Sequence, residues 1–313
     1  MAWPRTSMSE KTGPGGASKA RPVAPAKPDQ ERLAVRKTHK LFIGGAFPRS
    51  ESGRSYPVHA ADGTVLAYAA KASRKDLRDA VVAARAAFAG WSGATAYNRG
   101  QVLYRVAELM EGRAAQFVAE VAVSEGVRRS QAEAAVAAAI DRWVWYAGWS
   151  DKVAQIAGSA NPVAGPYFNF SVPEPTGVVA ILAPAESSLL GLVSVLAPVI
   201  VTGNTAVVVA SQDRPLPSVA LTEVLATSDV PGGVVNVLTG IQAELAPVAA
   251  AHMDVNAIDL TGAAPADRTD LERAAAANLK RVLGGAESFS EPPGTKRLLA
   301  ALEIKTVWHP VGI

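Results

Sequence analysis

Residues 177–183 read Gly-Val-Val-Ala-Ile-Leu-Ala, an apolar run of strand length opened by a glycine. Three more runs of the same kind follow: 204–210 (NTAVVVA), 232–238 (GGVVNVL) and 255–260 (VNAIDL). Residues 279–283 (LKRVL) close the series. A stretch of helical character separates each run from the next. Continuous Val/Ile runs joined by helical crossovers predict a parallel sheet with both faces covered. Such sheets bind ligands at the C-terminal ends of their strands. Those ends carry Pro184-Ala185-Glu186-Ser187-Ser188, Thr239-Gly240 and Thr261-Gly262-Ala263, and none is a G-x-G-x-x-G turn. From the residues alone, the segment is a doubly wound α/β domain with no chemistry attached to it.

Four helices are predicted before the sheet. In 73–91, Leu77, Ala80, Val81, Ala84, Ala87, Phe88 and Trp91 recur at i, i+3, i+4, i+7 behind a Ser73-x-x-Asp76 capping pattern. Residues 99–112 and 113–126 end in Gly112 and Gly126, as helices commonly do, and 130–149 is longer and alanine-rich. Its aromatic residues Trp143, Trp145, Tyr146 and Trp149 lack interleaved basic residues, which favours packing over base stacking. Before these helices, KLFIGGAF and the alternating 54–70 segment around Asp62-Gly63 predict a hairpin. Residues 1–38 form a Pro/Ala/Gly/Lys-rich stretch without periodicity and are expected to be a solvated, disordered tail.

Composition removes several function classes. A chain of 313 residues with 49% hydrophobic content can bury one large core or two moderate ones. Its 31 Lys and Arg against 28 acidic residues leave an excess concentrated near the N-terminus, so the charge does not point to nucleic acid. There is no cysteine, which excludes disulfides, thiolate metal sites and a thiolate nucleophile. The apolar run from Leu189 to Val201 is shorter than the ~20 residues a bilayer span needs. The first residues lack the apolar core of a signal peptide, so a cytoplasmic protein with no membrane partner is expected. The four histidines (His39, His59, His252, His309) fall in a linker, a hairpin, a helix end and the terminal segment and suggest no Ser-His-Asp set. His, Asp and Glu nowhere cluster at metal-ligand spacing.

The order and spacing of KLFIGGAFPRSESGRSYPV, DLRDAVVAARAAFAGW, RGQVLYRVAELM, EPTGVVAILAP, VTGNTAVVVASQDRPL, PGGVVNVLTG and IDLTGA across residues 40–285 resemble the aldehyde dehydrogenase superfamily. NLKRVLGG resembles the end of that family's cofactor domain, where Leu-Glu-Leu-Gly-Gly leads into the catalytic domain. The resemblance implies a Rossmann-like cofactor-binding domain over residues 39–285, with N-terminal helices and oligomerisation strands inserted at about 160–176. It also implies that the catalytic domain is missing, replaced by a linker at 286–295 and followed at 296–313 by a terminal oligomerisation strand. A full-length member carries its cysteine nucleophile in the missing part. RVLGG lacks the Thr-Leu-Glu that supplies the family's general base, and Glu186 stands where an asparagine amide donates to the oxyanion. An ionised carboxylate accepts but does not donate, and it repels the charge to be stabilised.

The family's cofactor positions map onto Pro184, Ala185, Val209, Ser211, Gln212, Gly240, Thr261, Gly262 and Ala263. Val209 replaces the lysine that meets the adenosine ribose, and Gln212 replaces its glutamate partner. Losing a charge-assisted hydrogen bond of this kind costs about 1.5–3 kcal/mol. The site is therefore expected to be vestigial, with NAD(P) bound weakly or not at all. Thr261-Gly262 is expected to open a helix whose N-terminus offers a pyrophosphate site, and lysine at Val209 is expected to tighten NAD binding if the cleft persists. The resemblance implies a non-catalytic subunit that assembles with a full-length aldehyde dehydrogenase through an arm of two strands, Tyr167 to Val172 and Leu302 to Val311. A dinucleotide-sensing module and a residual oxidoreductase are the alternatives.

Overall fold

The computed structural model describes residues 35–285 and 288–312. The expectation of a disordered tail lies outside the described residues up to 34. Beyond them a strand begins earlier than expected: β1 (Thr38–His39) pairs in parallel with β3 (Val65–Ala70), which also pairs antiparallel with β2 (Ser55–His59) across the Asp62-Gly63 turn. His39 is thus a strand residue, not a linker residue. The tail boundary at 38 fails because the Tyr68 N–H donates to Lys37 O and extends the ladder. KLFIGGAF makes no strand; it turns at Gly44-Gly45, and Phe42 bridges to Val237.

Four long helices follow: α1 (Arg74–Gly93), α2 (Ala96–Glu111), α3 (Ala114–Glu125) and α4 (Arg129–Trp149). The α1 cap forms as its sequence predicts. Ser73 Oγ accepts from Lys75 N and Asp76 N, and Asp76 Oδ2 accepts from Ser73 N at 2.8 Å. Such a cap contributes about 0.5–2 kcal/mol. Asp76 is nearly fully buried because it also accepts from Ser50 Oγ and Glu51 N, fastening the preceding loop to the helix. Trp143 and Tyr146 of α4 lie in the core, and Trp145 packs edge-on to Tyr146 at 4.9 Å, the packing role expected for this cluster.

A short helix, α5 (Val153–Ala157), leads to β4 (Ser159–Asn161) and β5 (Tyr167–Pro175). The alternating α/β segment then runs through β6 (Val178–Leu182), α6 (Leu190–Val201), β7 (Thr205–Val209), α7 (Leu216–Leu225), β8 (Val235–Leu238), α8 (Gln242–Ala251), β9 (Ala257–Asp259), α9 (Arg268–Ala276) and β10 (Arg281–Leu283). The sheet is parallel, in the order β10-β9-β6-β7-β8. Its two faces feed two separate apolar clusters, one toward α2, α3, α4 and α6 and one toward α1 and α8. This double coverage is why the strands read as unbroken Val/Ile runs. The chain leaves β6 toward β7 and β8 and later returns to β9, so the topological switch lies between β6 and β9.

The C-terminal segment adds α10 (Lys296–Ala300) and β11 (Leu302–Pro310). β11 pairs antiparallel with β5 over nine residue pairs, from Leu302↔Pro175 to Pro310↔Tyr167, and β4 covers the other edge of β5. Within residues expected to be a plain linker, Phe289 is buried in the main core cluster. Arg142, itself buried, donates to Phe289 O, Glu291 O and Ser194 Oγ and fixes that segment against α4 and α6.

Candidate functional site

The sheet brings all nine cofactor-type positions to its C-terminal edge, spread over the ends of β9, β6, β7 and β8 in that spatial order. Their accessibility differs sharply. Pro184, Val209, Ser211 and Gly240 are buried, Ala185 is exposed, and Gln212, Thr261, Gly262 and Ala263 are half-buried. Val209 is fully enclosed in the same apolar cluster as Leu182, Leu238 and Leu245. A lysine there would have to leave this apolar cluster to reach a ligand. Gly240 is hemmed in as well: a Cβ would stand 3.1 Å from Ala72 N and 3.2 Å from Leu245.

At the switch between β6 and β9 the backbone amides are already engaged. Thr261 N donates to Asp259 Oδ1, Gly262 N to Leu182 O and Ala263 N to Leu260 O. Gly262 lies so close to the end of β6 that a Cβ would fall 2.2 Å from Ala183 O, so only glycine fits. The expected helix start is also displaced. α9 begins at Arg268, seven residues after Thr261, and its first turns carry Asp267 and Asp270. The intervening Ala263-Ala264-Pro265-Ala266 supplies no N-cap, and acidic residues at a helix start disfavour an anion. Arg268 spans Leu260 O, Gly284 O and Glu272 Oε1 and holds the loop in this shape.

A buried ion pair occupies the same edge, and sequence reasoning missed it. Arg297 of α10 donates through Nη1 to Asp259 Oδ2 at 2.8 Å and through Nη2 to Thr261 Oγ1 at 2.9 Å. Asp259 is 1% exposed and Arg297 13%. Thr261 Oγ1 in turn donates to Asp259 Oδ1. Gly284, at φ +90°, makes room for this set, because a Cβ would lie 2.6 Å from both Asp259 Oδ1 and Thr261 Oγ1. The signal was legible: a carboxylate inside VNAIDL is costly to bury unless it is paired. Its partner was not, because Arg297 sits in a terminal stretch with no periodicity.

The positions expected to have lost their chemistry are plainly placed. Glu186 is exposed on the turn after β6, whose carbonyls at Ala185 and Glu186 accept from Arg214 Nη1. Glu125 Oε1 braces that turn from the other side, accepting from Ser188 N and Oγ at 2.7 Å each. Val282, immediately before Leu283-Gly284-Gly285, is a half-exposed aliphatic on the edge strand. Gln212 lies apart from Thr261-Gly262, beside a cavity also lined by Tyr56 and Asp213. Burial and the Asp213 carboxylate push the Tyr56 hydroxyl above its ordinary range, so it stays protonated. Among the described residues no group of three His, Asp or Glu side chains is placed to hold a metal, and no helix is long and apolar enough to cross a membrane.

Comparison with known proteins agrees with this architecture. The profile of the aldehyde dehydrogenase family matches residues 47–288. An aldehyde dehydrogenase of Davidiella tassiana is 32% identical over 250 residues, 78% of this chain and 50% of that protein. Human retinal dehydrogenase 2 is 33% identical over 254 residues, 79% and 48% of the two chains. A cytosolic 10-formyltetrahydrofolate dehydrogenase of Xenopus tropicalis is 32% identical, covering 81% of this chain and 29% of its own length. The structure of the NAD+ complex of a Bacillus cereus aldehyde dehydrogenase superposes with a TM-score of 0.75 at 26% identity, over 78% of this chain and 50% of that one. A putative aldehyde dehydrogenase from Burkholderia cenocepacia does so with a TM-score of 0.75 at 30% identity. The chain spans about half the length, or less, of the curated relatives it matches. With a doubly wound sheet, an attached three-stranded arm and a family match over most of its length, the chain belongs to the aldehyde dehydrogenase family.

Proposed function

We propose that this chain is a non-catalytic member of its family that lends its arm to a full-length aldehyde dehydrogenase. The observation that carries the reading is the contrast between a cysteine-free chain and a complete arm. Among the described residues β11 is an open edge strand, and around it Phe168, Ile304 and Trp308 are 53%, 56% and 58% exposed, with Tyr167 set edge-on to Trp308 at 5.7 Å. An apolar edge of this length invites pairing unless a partner covers it. The arm is also rigid. Ser171 and Thr306 share a hydroxyl hydrogen bond at 2.9 Å, Lys305 pairs with Glu174 at 3.0 Å, and Asn204 Nδ2 holds Ala301 O at its base. Rigidity before binding lowers the ordering cost of an interface.

Residual aldehyde oxidation has little to work with here. No thiol is present, Glu186 stands where the resemblance puts the oxyanion donor, and RVLGG carries no glutamate to act as base. Dinucleotide sensing is disfavoured by amides that already have partners and by Val209 in the core. The test is co-purification of the tagged chain with a full-length aldehyde dehydrogenase from the same source. The full chain is expected to retain the partner, and deletion from Glu303 onward is expected to release it while the sheet domain stays folded. A stable homodimer formed through the arm, or partner binding that survives the deletion, would refute the assignment.

A further inference from the structure

The loop after β7 forms one wall of a cavity of about 410 Å³, whose other walls come from the β2–β3 hairpin and the C-terminal end of α3. One water molecule takes up only about 30 Å³ of liquid, so the space suits a larger occupant. One hydroxyl in its wall lacks a partner among the described residues: Ser124 Oγ, on a residue 4% exposed. Buried hydroxyls are paired in the great majority of cases, so an orphan on a cavity wall marks a place where another molecule completes the set. A serine hydroxyl moves between staggered χ1 wells at little cost and is free to follow a ligand.

The rim carries charge of both signs, and neither charge is satisfied by the other. Asp213 makes no ion pair among the described residues. Among the described residues Arg214 engages carbonyls through Nη1 alone, with no hydrogen-bond partner for Nε and Nη2. Gln212 adds an amide that both donates and accepts. A metal ion does not suit the set, which has a single carboxylate and a guanidinium beside it. We propose that this cavity binds a small zwitterion of amino-acid size, with its ammonium group on Asp213, its carboxylate on Arg214 and a further polar group on Ser124. Arg–carboxylate contacts of this kind are charge-assisted and among the stronger hydrogen bonds. The site is separate from the arm and does not depend on the proposed assembly.

Thermal-shift and calorimetric titrations of the full chain at constant ionic strength test the proposal. The probes are serine, glutamine and 4-aminobutyrate, with acetate, ethanolamine and magnesium chloride as controls. At least one zwitterion is expected to give a saturable rise in Tm, and the controls none. Asp213→Asn and Arg214→Gln should each weaken the Kd about tenfold or more. Asp213 is exposed, so its variant keeps the test valid should loss of Arg214 disturb the turn at 185–186. Ser124→Ala should leave the Tm of the ligand-free chain unchanged or raised, because its hydroxyl has no partner to lose, while weakening binding. Absence of a saturable shift with every zwitterion overturns the proposal. So does an equal shift with acetate or magnesium chloride, or binding that Asp213→Asn or Ser124→Ala leaves unchanged.

Discussion

The C-terminal edge of the parallel sheet and the three-stranded arm are built from the same chain and end in opposite states. At the sheet edge the polar groups nearest the β6–β9 switch are matched internally: the amides of Thr261, Gly262 and Ala263, the carboxylate of Asp259 and the guanidinium of Arg297 all have partners. On the arm, the outer edge of β11 has no neighbouring strand among the described residues, and large apolar side chains stand in solvent. A surface that has met its own hydrogen-bonding needs gains little from a ligand. A surface left unmet is where binding free energy is available. The two regions are joined physically, because α10 carries Arg297 and runs directly into β11.

The largest expected effect breaks the closed side of this comparison. Arg297→Met strands the Asp259 carboxylate in the interior and should cost about 3–5 kcal/mol, read as a lower urea midpoint. Neutralising both partners with Asp259→Asn and Arg297→Met together should restore much of the loss. A single variant within about 0.5 kcal/mol of the parent would mean that the pair does not hold the segment, a threshold set by the cost of typical surface changes. Val209→Lys comes next. It places an ammonium in an apolar cluster and should cost about 2 kcal/mol or more without raising NAD+ affinity. Tighter NAD+ binding in that variant would show that the crevice is open.

On the open side, Trp308→Asp should weaken partner binding by about 2 kcal/mol, roughly 30-fold. Its urea stability should remain within about 0.5 kcal/mol of the parent, since the side chain is mostly in solvent. A comparable loss of folding stability would instead make Trp308 part of the core. The smallest effect concerns Lys280, buried near β10 with Nζ donating to Asn278 Oδ1, where burial holds its pKa down to about 8. The unfolded chain, with a lysine near 10.4, binds more protons than the native one between these values. Stability should therefore rise with pH across that window, and below pH 8 the full penalty applies. Lys280→Met should raise Tm at pH 7, with the gain fading as pH climbs toward 10. A gain independent of pH would assign it to packing alone.

How far each region was legible follows from what holds it. The strands of the sheet announced themselves because burial on both faces forces an apolar residue at every position, as in Val178 to Leu182. The capping box at Ser73 and Asp76 is local and was equally readable. The pairing of β11 with β5 was expected only through family resemblance, since their contacts lie about 130 residues apart. The register that sets Trp308 beside Tyr167 has no local sequence signature. The helix after Thr261-Gly262 was misplaced because its start depends on Arg268 gripping Gly284 O, a contact across two loops. Val209 is expected as a lost ligand, and the packing adds that its side chain belongs to the core. Phe289 and Arg142 escaped notice because their partners are backbone carbonyls and α6, which composition does not reveal.

Calorimetric titration of NAD+ into the purified chain tests the central claim, an internally hydrogen-bonded sheet edge beside an open arm, most directly. The account predicts a Kd in the high micromolar range or weaker, corresponding to about −5 kcal/mol or less favourable binding. A Kd in the low micromolar range for the unmodified chain would contradict it, because the amides at 261–263 would then have to exchange their internal partners for the dinucleotide.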